Sequence, residues 1–353
     1  MSLNDPIPGH SDPIAYFLQD MDTHGRSQRT IDAYERVLRR FEAFLSDPER
    51  GPNGSIEEPG AASYRDCMAW IHEIRGSASD STVATYASYL NRFYSYMNQV
   101  GAFDANPMTL VMEEMNESIS TDPTRRDLSV DEMRAFVGSV KPPMERAVIV
   151  TLLKSGMRAG ELCNLDVRDF HLTELEDVEE YNSVRVELHG RPNSMFVSSE
   201  PEQGAVINGE ERDAANKRMR DTVIPIDEEL KSVLIPYMGI RPKPIGAGEG
   251  LFLNTSRKWG HRLTNDMVHH IVEKHAREFG WYREGGGVTE NVTPHYFRHF
   301  FTTHLRDRTG DRGIVKYLRG DVADDIIDTY THNWGDRVRE VYEDNIYKLL
   351  END

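Results

Sequence analysis

Two side chains in the last quarter of the chain are spaced for work on a phosphodiester. In Pro294 to Leu305, PHYFRHFFTTHL, a helix would carry His295 and Arg298 one turn apart on one face. A guanidinium offers a planar two-pronged donor to non-bridging phosphate oxygens, and an imidazole beside it donates a hydrogen bond or carries a proton. Solvated side chains on a helix have the same spacing, so the pair alone decides nothing. His295 and His299, four residues apart, could hold a metal, but no acidic zincin motif accompanies them, and neither a metal nor another cofactor is expected. Cys67 and Cys163 are too few for a disulfide framework and lack the paired spacing of a zinc site.

The elements that would position these residues follow from periodicity. Thr293 and Pro294 form a capped helix start ahead of His295. Upstream, Ile31, Tyr34, Leu38, Phe41 and Leu45 recur at steps of three and four, and so do Val83, Tyr86, Leu90, Phe93 and Met97, with Ser81 or Asp80 as the expected cap of the second helix. A shorter helix is expected around Tyr64 to Ile74, and Asn106-Pro107 should stop the helical run. Residues 113–126 are polar and contain a proline, as a linker would. Ser129 to Glu132 then reads as a capping box that opens a second domain.

In that domain Ala147 to Leu153 is apolar, Gly156 breaks the run and Met157 to Leu165 resumes as a short helix. Val184, Val186 and Leu188 alternate as a half-buried strand should, Arg220 to Ile226 ends in another strand, and the long polar stretch His189 to Arg218 reads as an extended or mobile insertion. Met267, Ile271 and His275 mark a further helix, and an amphipathic tail carries Trp334, Val338, Val341, Ile346 and Leu349.

The string Lys154-Ser155-Gly156-Met157-Arg158-Ala159-Gly160-Glu161-Leu162, with Asp169-Phe170 after it, resembles the arginine box of tyrosine recombinases of the lambda-integrase and Xer type. His295 to His299, with Thr302 and His304-Leu305, resembles the His-x-x-Arg box of that family, and Tyr330-Thr331-His332 its nucleophile motif, in the same order along the chain. Ser27 to Leu45 and Ser81 to Pro107 resemble its core-binding domain, so the likeness spans essentially the whole sequence.

What the resemblance implies is a mainly α protein with a small antiparallel β-sheet: a helical SAM-like core-binding domain at 1–118, a linker at 119–126, and an α+β catalytic domain at 127–353 that ends in a protomer-exchange tail. A tail folding back onto its own domain is the alternative. The two domains would clamp double-stranded DNA, with a homotetramer on two DNA sites and accessory DNA-bending proteins as partners.

Arg158 and Arg298 would hold the scissile phosphate, with His295 beside them, and Tyr330 would attack phosphorus to give a 3'-phosphotyrosyl link. Asn216 to Ile226 resembles the family's turn into a strand ending apolar-Pro-apolar, and counting back from Pro225 selects Lys217 as the acid for the leaving oxygen, with Arg218 and Arg220 as alternatives. Nine residues before Tyr330, where the family carries His or Trp, stands Asp321. A carboxylate there would repel a phosphate unless it caps the next helix, pairs with a catalytic arginine or is protonated.

The formal net charge of -18 opposes a generic DNA binder. A surface adapted to a high-salt cytoplasm would reconcile acidity with a local cationic groove, to which Arg125, Arg126, Arg257, Lys258 and Arg262 are candidate contributors. No apolar run is long enough to span a bilayer, so a cytoplasmic protein without membrane contact is expected. Two readings compete with recombination: a DNA-binding protein of the same fold that has lost strand transfer, and a relaxing enzyme of the type IB topoisomerase kind.

Overall fold

A computed structural model of the chain describes residues 12–49, 58–119, 125–178, 181, 183–246, 248–321 and 334–350, without the side chains of 334–336. The chain divides into two compact units, 1–123 and 124–353.

The first unit is helical: α1 (Pro13–Thr23), α2 (Gln28–Ser46), α3 (Tyr64–Arg75), α4 (Asp80–Gln99) and α5 (Met108–Glu114). Side-chain caps set the starts, with Asp12 accepting from the Ala15 amide and Ser27 from the Thr30 amide. The cap of α4 is Ser79, which accepts from the Thr82 amide, rather than Ser81 or Asp80, because the first turn begins a residue earlier than the apolar repeat suggests. The expected stripes are buried: Ile31, Leu38, Phe41 and Leu45 from α2 face Val83, Leu90, Phe93 and Met97 from α4 in one core. Helix α5 follows Pro107 directly and buries Met108 and Val111, so helical structure runs further toward the linker than the Asn-Pro stop implied.

The second unit contains α6 (Val130–Ser139), α7 (Pro143–Ser155), α8 (Ala159–Asn164), α9 (Glu228–Ile240), α10 (Asn265–Glu278), α11 (Pro294–Thr309), α12 (Arg312–Arg319) and α13 (Trp334–Asn345). Helix α7 is buried almost all round and runs through the core. Strands β1 (Phe170–His171), β2 (Ser194–Val197) and β5 (Thr222–Pro225) form an antiparallel sheet in the order β1-β2-β5, with Phe170 opposite Met195 and Met195 opposite Ile224. Between β2 and β5, β3 (Val206–Ile207) and β4 (Glu210–Glu211) make a short hairpin.

Two readings of this region are corrected. The stretch Ser183 to Leu188 is not a strand: residues 183–185 are irregular, Val186–Leu188 is a turn of 3-10 helix, and Val186 is 70% exposed while Leu188 is buried, so the alternation of apolar residues is not that of a sheet strand. The strand lies in the supposed insertion, where Ser194, Met195, Phe196 and Val197 are buried on both faces and therefore show no alternation.

The described part of the tail, residues 337–350, packs within its own unit. Val338, Tyr342, Ile346, Tyr347 and Leu349 are buried in the core of their own unit. Tyr342 donates to the carbonyl of Lys154 at 2.8 Å, Tyr347 donates to that of Leu153, and the amides of Leu349 and Leu350 donate to Glu229. Lys154, fully buried, closes the arrangement on Asp227 at 2.8 Å and Glu229 at 2.5 Å. These polar groups have their partners within the same chain. Among the described residues no helix is long and apolar enough to cross a membrane.

Candidate active site

The site is built where α7, α8, α11 and α12 end or begin. Helix α7 stops at Gly156 in the left-handed region (φ +63°), and a Cβ there would lie 2.2 Å from the Phe301 ring of α11. Glycine is therefore required both by the turn and by the close approach of α11. The turn leaves the Gly156 carbonyl pointing at α11, where it accepts from Arg298 Nη1 at 2.7 Å. Two residues on, Arg158 is the N-cap of α8. Its backbone amide and its Nη1 both donate to Glu161, at 3.0 and 2.9 Å.

Helix α12 closes the other side. It ends at Gly320, again left-handed (φ +70°), where a Cβ would strike the Arg218 side chain at 2.2 Å. The Arg319 carbonyl accepts from both Nη atoms of Arg298 at 3.2 Å. Arg218 spans the gap, donating to the Leu318 carbonyl and to Glu161, each at 3.1 Å. Asp321 follows the turn and touches three guanidiniums. Its Oδ1 lies 2.9 Å from Arg298 Nη2 and 3.6 Å from Arg158 Nη2, and its Oδ2 lies 2.9 Å from Arg319 Nε.

The electrostatics are those of a concentrated cationic seat. Arg298 is 2% exposed, and burial together with the guanidiniums of Arg158 and Arg319 pushes its own down to about 9, still protonated at neutral pH. Burial raises the carboxyl of Glu161, but Arg218, the Arg158 amide, Arg298 and Arg158 outweigh it and hold the group below the usual carboxylate range. His295 stands in the first turn of α11, exposed at its surface. Partial desolvation, then Arg125, Arg298, Arg158 and Arg319, push its imidazole down to about 4, so it is neutral at pH 7 and able to accept a proton. Four guanidiniums, Arg158, Arg218, Arg298 and Arg319, gathered around two carboxylates, Glu161 and Asp321, attract a further anion, and two converging forks suit the oxygens of a phosphate.

Arg158, Arg298 and Asp321 are thus brought together, with His295 close enough to feel both arginines. Of the three sequence readings of Asp321, pairing with the arginines is the one seen; the residues after Asp321 that the capping reading invokes, and Tyr330 with Thr331 and His332, lie outside the described residues. Lys217 is exposed on the segment leading into β5. That segment is tied to the site on both sides of it, by Asn216 to Asn164 at 2.8 Å and by the Met219 amide to the Gly320 carbonyl at 2.8 Å. Arg218, an alternative to Lys217, is committed to its buried pair with Glu161, and Arg220 lies over the Tyr317 ring at 5.0 Å. Arg262 is not a surface cation: it is 9% exposed and bound to Asp166 and Glu210, each at 2.6 Å. Sequence reasoning missed Arg319, whose only visible sign was its place beside the anomalous Asp321.

Two family models match the chain: "Phage integrase family" over residues 201–336 and "Phage integrase, N-terminal SAM-like domain" over residues 14–101, together more than half its length. The first stretch holds Lys217, His295, Arg298, Asp321 and Tyr330; Arg158 lies outside it. A tyrosine recombinase XerC of Pelobacter propionicus is 26% identical over 326 residues, covering 90% of this chain and 89% of its own. A tyrosine recombinase XerD of Listeria monocytogenes is 24% identical over 328 residues, covering 90% and 92%. Among solved structures, the Tn1549 transposon integrase in complex with transposon right end DNA matches with a TM-score of 0.60 at 18% identity, covering 94% of each chain. A lambda integrase dimer bound to a COC' core site matches at 0.60 and 14% identity, covering 96% of this chain and 79% of that one. At these identities the structural likeness is one of fold.

Proposed function

The chain belongs to the phage integrase family of tyrosine recombinases, and on that premise we propose that it performs site-specific recombination of double-stranded DNA through a covalent link to Tyr330. The observation that carries this reading is the convergence of Arg158, from the α7–α8 turn, and Arg298, from α11, on one small anion, the Asp321 carboxylate.

Each role has a physical reason. The two guanidiniums hold the scissile phosphate and neutralise charge that grows as phosphorus becomes five-coordinate. The Tyr330 oxygen attacks in line, forming a new oxygen–phosphorus bond as the bond to the 5'-oxygen breaks. Neutral His295 takes the phenolic proton, and Lys217 gives a proton to the leaving 5'-oxygen. The phosphotyrosine retains the energy of the broken ester, so a 5'-hydroxyl can reverse the steps without an external energy source. Integration, excision and resolution all use this chemistry. We read the working assembly as a homotetramer on two DNA sites, served by accessory DNA-bending proteins, in a cytoplasm whose high salt accounts for the net charge of -18.

Covalent trapping tests the reading. Purified protein is incubated in molar KCl with a pool of nicked duplexes of random sequence and then denatured. Protein-linked DNA supports recombination chemistry, and sequencing it gives the site. DNA retention without a covalent product would replace the reading with DNA binding alone, and relaxation of plasmid without sequence preference would replace it with the topoisomerase class.

A further inference from the structure

A two-arginine seat leaves Arg319 without a role, and gives Asp321 only the role of an obstacle. Yet the three guanidiniums share a single anion already in place. One carboxylate oxygen sits on Arg298 at 2.9 Å and near Arg158 at 3.6 Å, and the other sits on Arg319 at 2.9 Å. Two oxygens of one anion divided over three cations is how the non-bridging oxygens of a phosphate would also be received.

We propose that Arg319 is a third phosphate-contacting residue and that Asp321 fills the phosphate seat until a DNA phosphate displaces its carboxylate. This rests on the recombinase reading and deepens it. The backbone does not need the carboxylate to hold its shape, because the Gly320 amide donates to the Tyr317 carbonyl at 2.8 Å and the Asp321 amide to that of Lys316 at 3.0 Å. Nor is the carboxylate sealed in: Asp321 and Arg319 are 27% and 29% exposed. The Arg319 pair, part-exposed on both sides, is weak, and a phosphate carrying its own charge can replace the carboxylate on buried Arg298 without leaving that guanidinium unpaired. While it remains, Asp321 adds to the negative charge with which Glu161 already offsets Arg158, and lowers the attraction for any phosphate that is not driven home by the rest of the DNA contact. Arg319 Nε meets the carboxylate at ion-pair distance without a hydrogen bond, so an incoming phosphate finds its charge beside those of Arg158 and Arg298.

The test needs no DNA site. Inorganic phosphate is titrated into the full chain by calorimetry, at the lowest KCl concentration at which circular dichroism shows the fold intact. Asp321→Asn keeps the shape and removes the charge, and it should bind phosphate at least tenfold more tightly than the unmodified chain. Adding Arg319→Gln should abolish that gain, and Arg319→Lys in its place should keep most of it, a rescue that a purely structural role for the guanidinium would not show. An Asp321→Asn variant no tighter than the unmodified chain, or a double variant with Arg319→Gln that keeps the full gain, would overturn the proposal. An adduct in the trapping experiment without a phosphate gain would sink this inference alone. A phosphate gain without any adduct would support it while removing the recombinase reading.

Discussion

Arg298 Nη1 donates to the carbonyl of Gly156 at 2.7 Å, so the arginine of one motif is aimed by the glycine of another 142 residues earlier. The left-handed turn at Gly156 frees that carbonyl from the α7 ladder, and the missing Cβ lets Phe301 pack against the turn.

Gly156→Ala should therefore be severe. A left-handed alanine costs about 1–2 kcal/mol, and displacing Phe301 adds roughly 1–3 kcal/mol. The melting temperature of the catalytic unit should fall by several degrees in calorimetry. A change within error would mean that the turn and α11 are not packed as described.

Glu161 and Arg218 are both fully buried and bonded to each other at 3.1 Å. Breaking such a pair from one side leaves a charge without compensation, at about 3–5 kcal/mol. Glu161→Gln should show that loss in denaturant unfolding, and a second change, Arg218→Met, should recover part of it. Full additivity of the two losses would contradict a direct pairing.

The sequence made these positions visible to unequal degrees. Arg158, His295 and Arg298 stand in short strings whose residue types suit phosphate chemistry, and the helices of the first unit follow from apolar steps of three and four. Glu161 was visible as a letter in its string, but its bonds to Arg158 and Arg218 depend on a fold that brings residues 161 and 218 together. Strand β2 was hidden because burial on both faces erases alternation, while exposed Val186 imitated it. The tail's apolar side was legible, but its surroundings were not, since Lys154, Asp227 and Glu229 gather beneath it from two other helical segments.

His295 provides a pH signature. Its imidazole is held at about 4 in the folded chain against an ordinary 6.5, so between those values the unfolded chain binds more protons than the folded one. Stability from this group is complete above about pH 6.5 and is lost as pH falls toward 4. His295→Asn should lose less stability than the unmodified chain across that window, measured by urea unfolding at several pH values. Parallel pH profiles for the two chains would count against a crowded imidazole.

The two arginines should matter to rate far more than to fold. Arg158→Ala, which removes a part-exposed side chain, should slow adduct formation by roughly 10²–10³-fold, as the loss of a preorganised donor does. Retention of duplex DNA on a filter should change little. Equal losses in binding and cleavage would place Arg158 in general DNA contact instead of at the reacting phosphate.

The nucleophile decides the central claim. After trapping, trypsin would release residues 320–337 as one peptide, in which Tyr330 is the sole tyrosine. Mass spectrometry should find the nucleotide on that peptide, on the Tyr330 oxygen, and find no adduct with Tyr330→Phe. A nucleotide attached to any other tyrosine, or an adduct that persists in the Tyr330→Phe chain, would contradict the assignment.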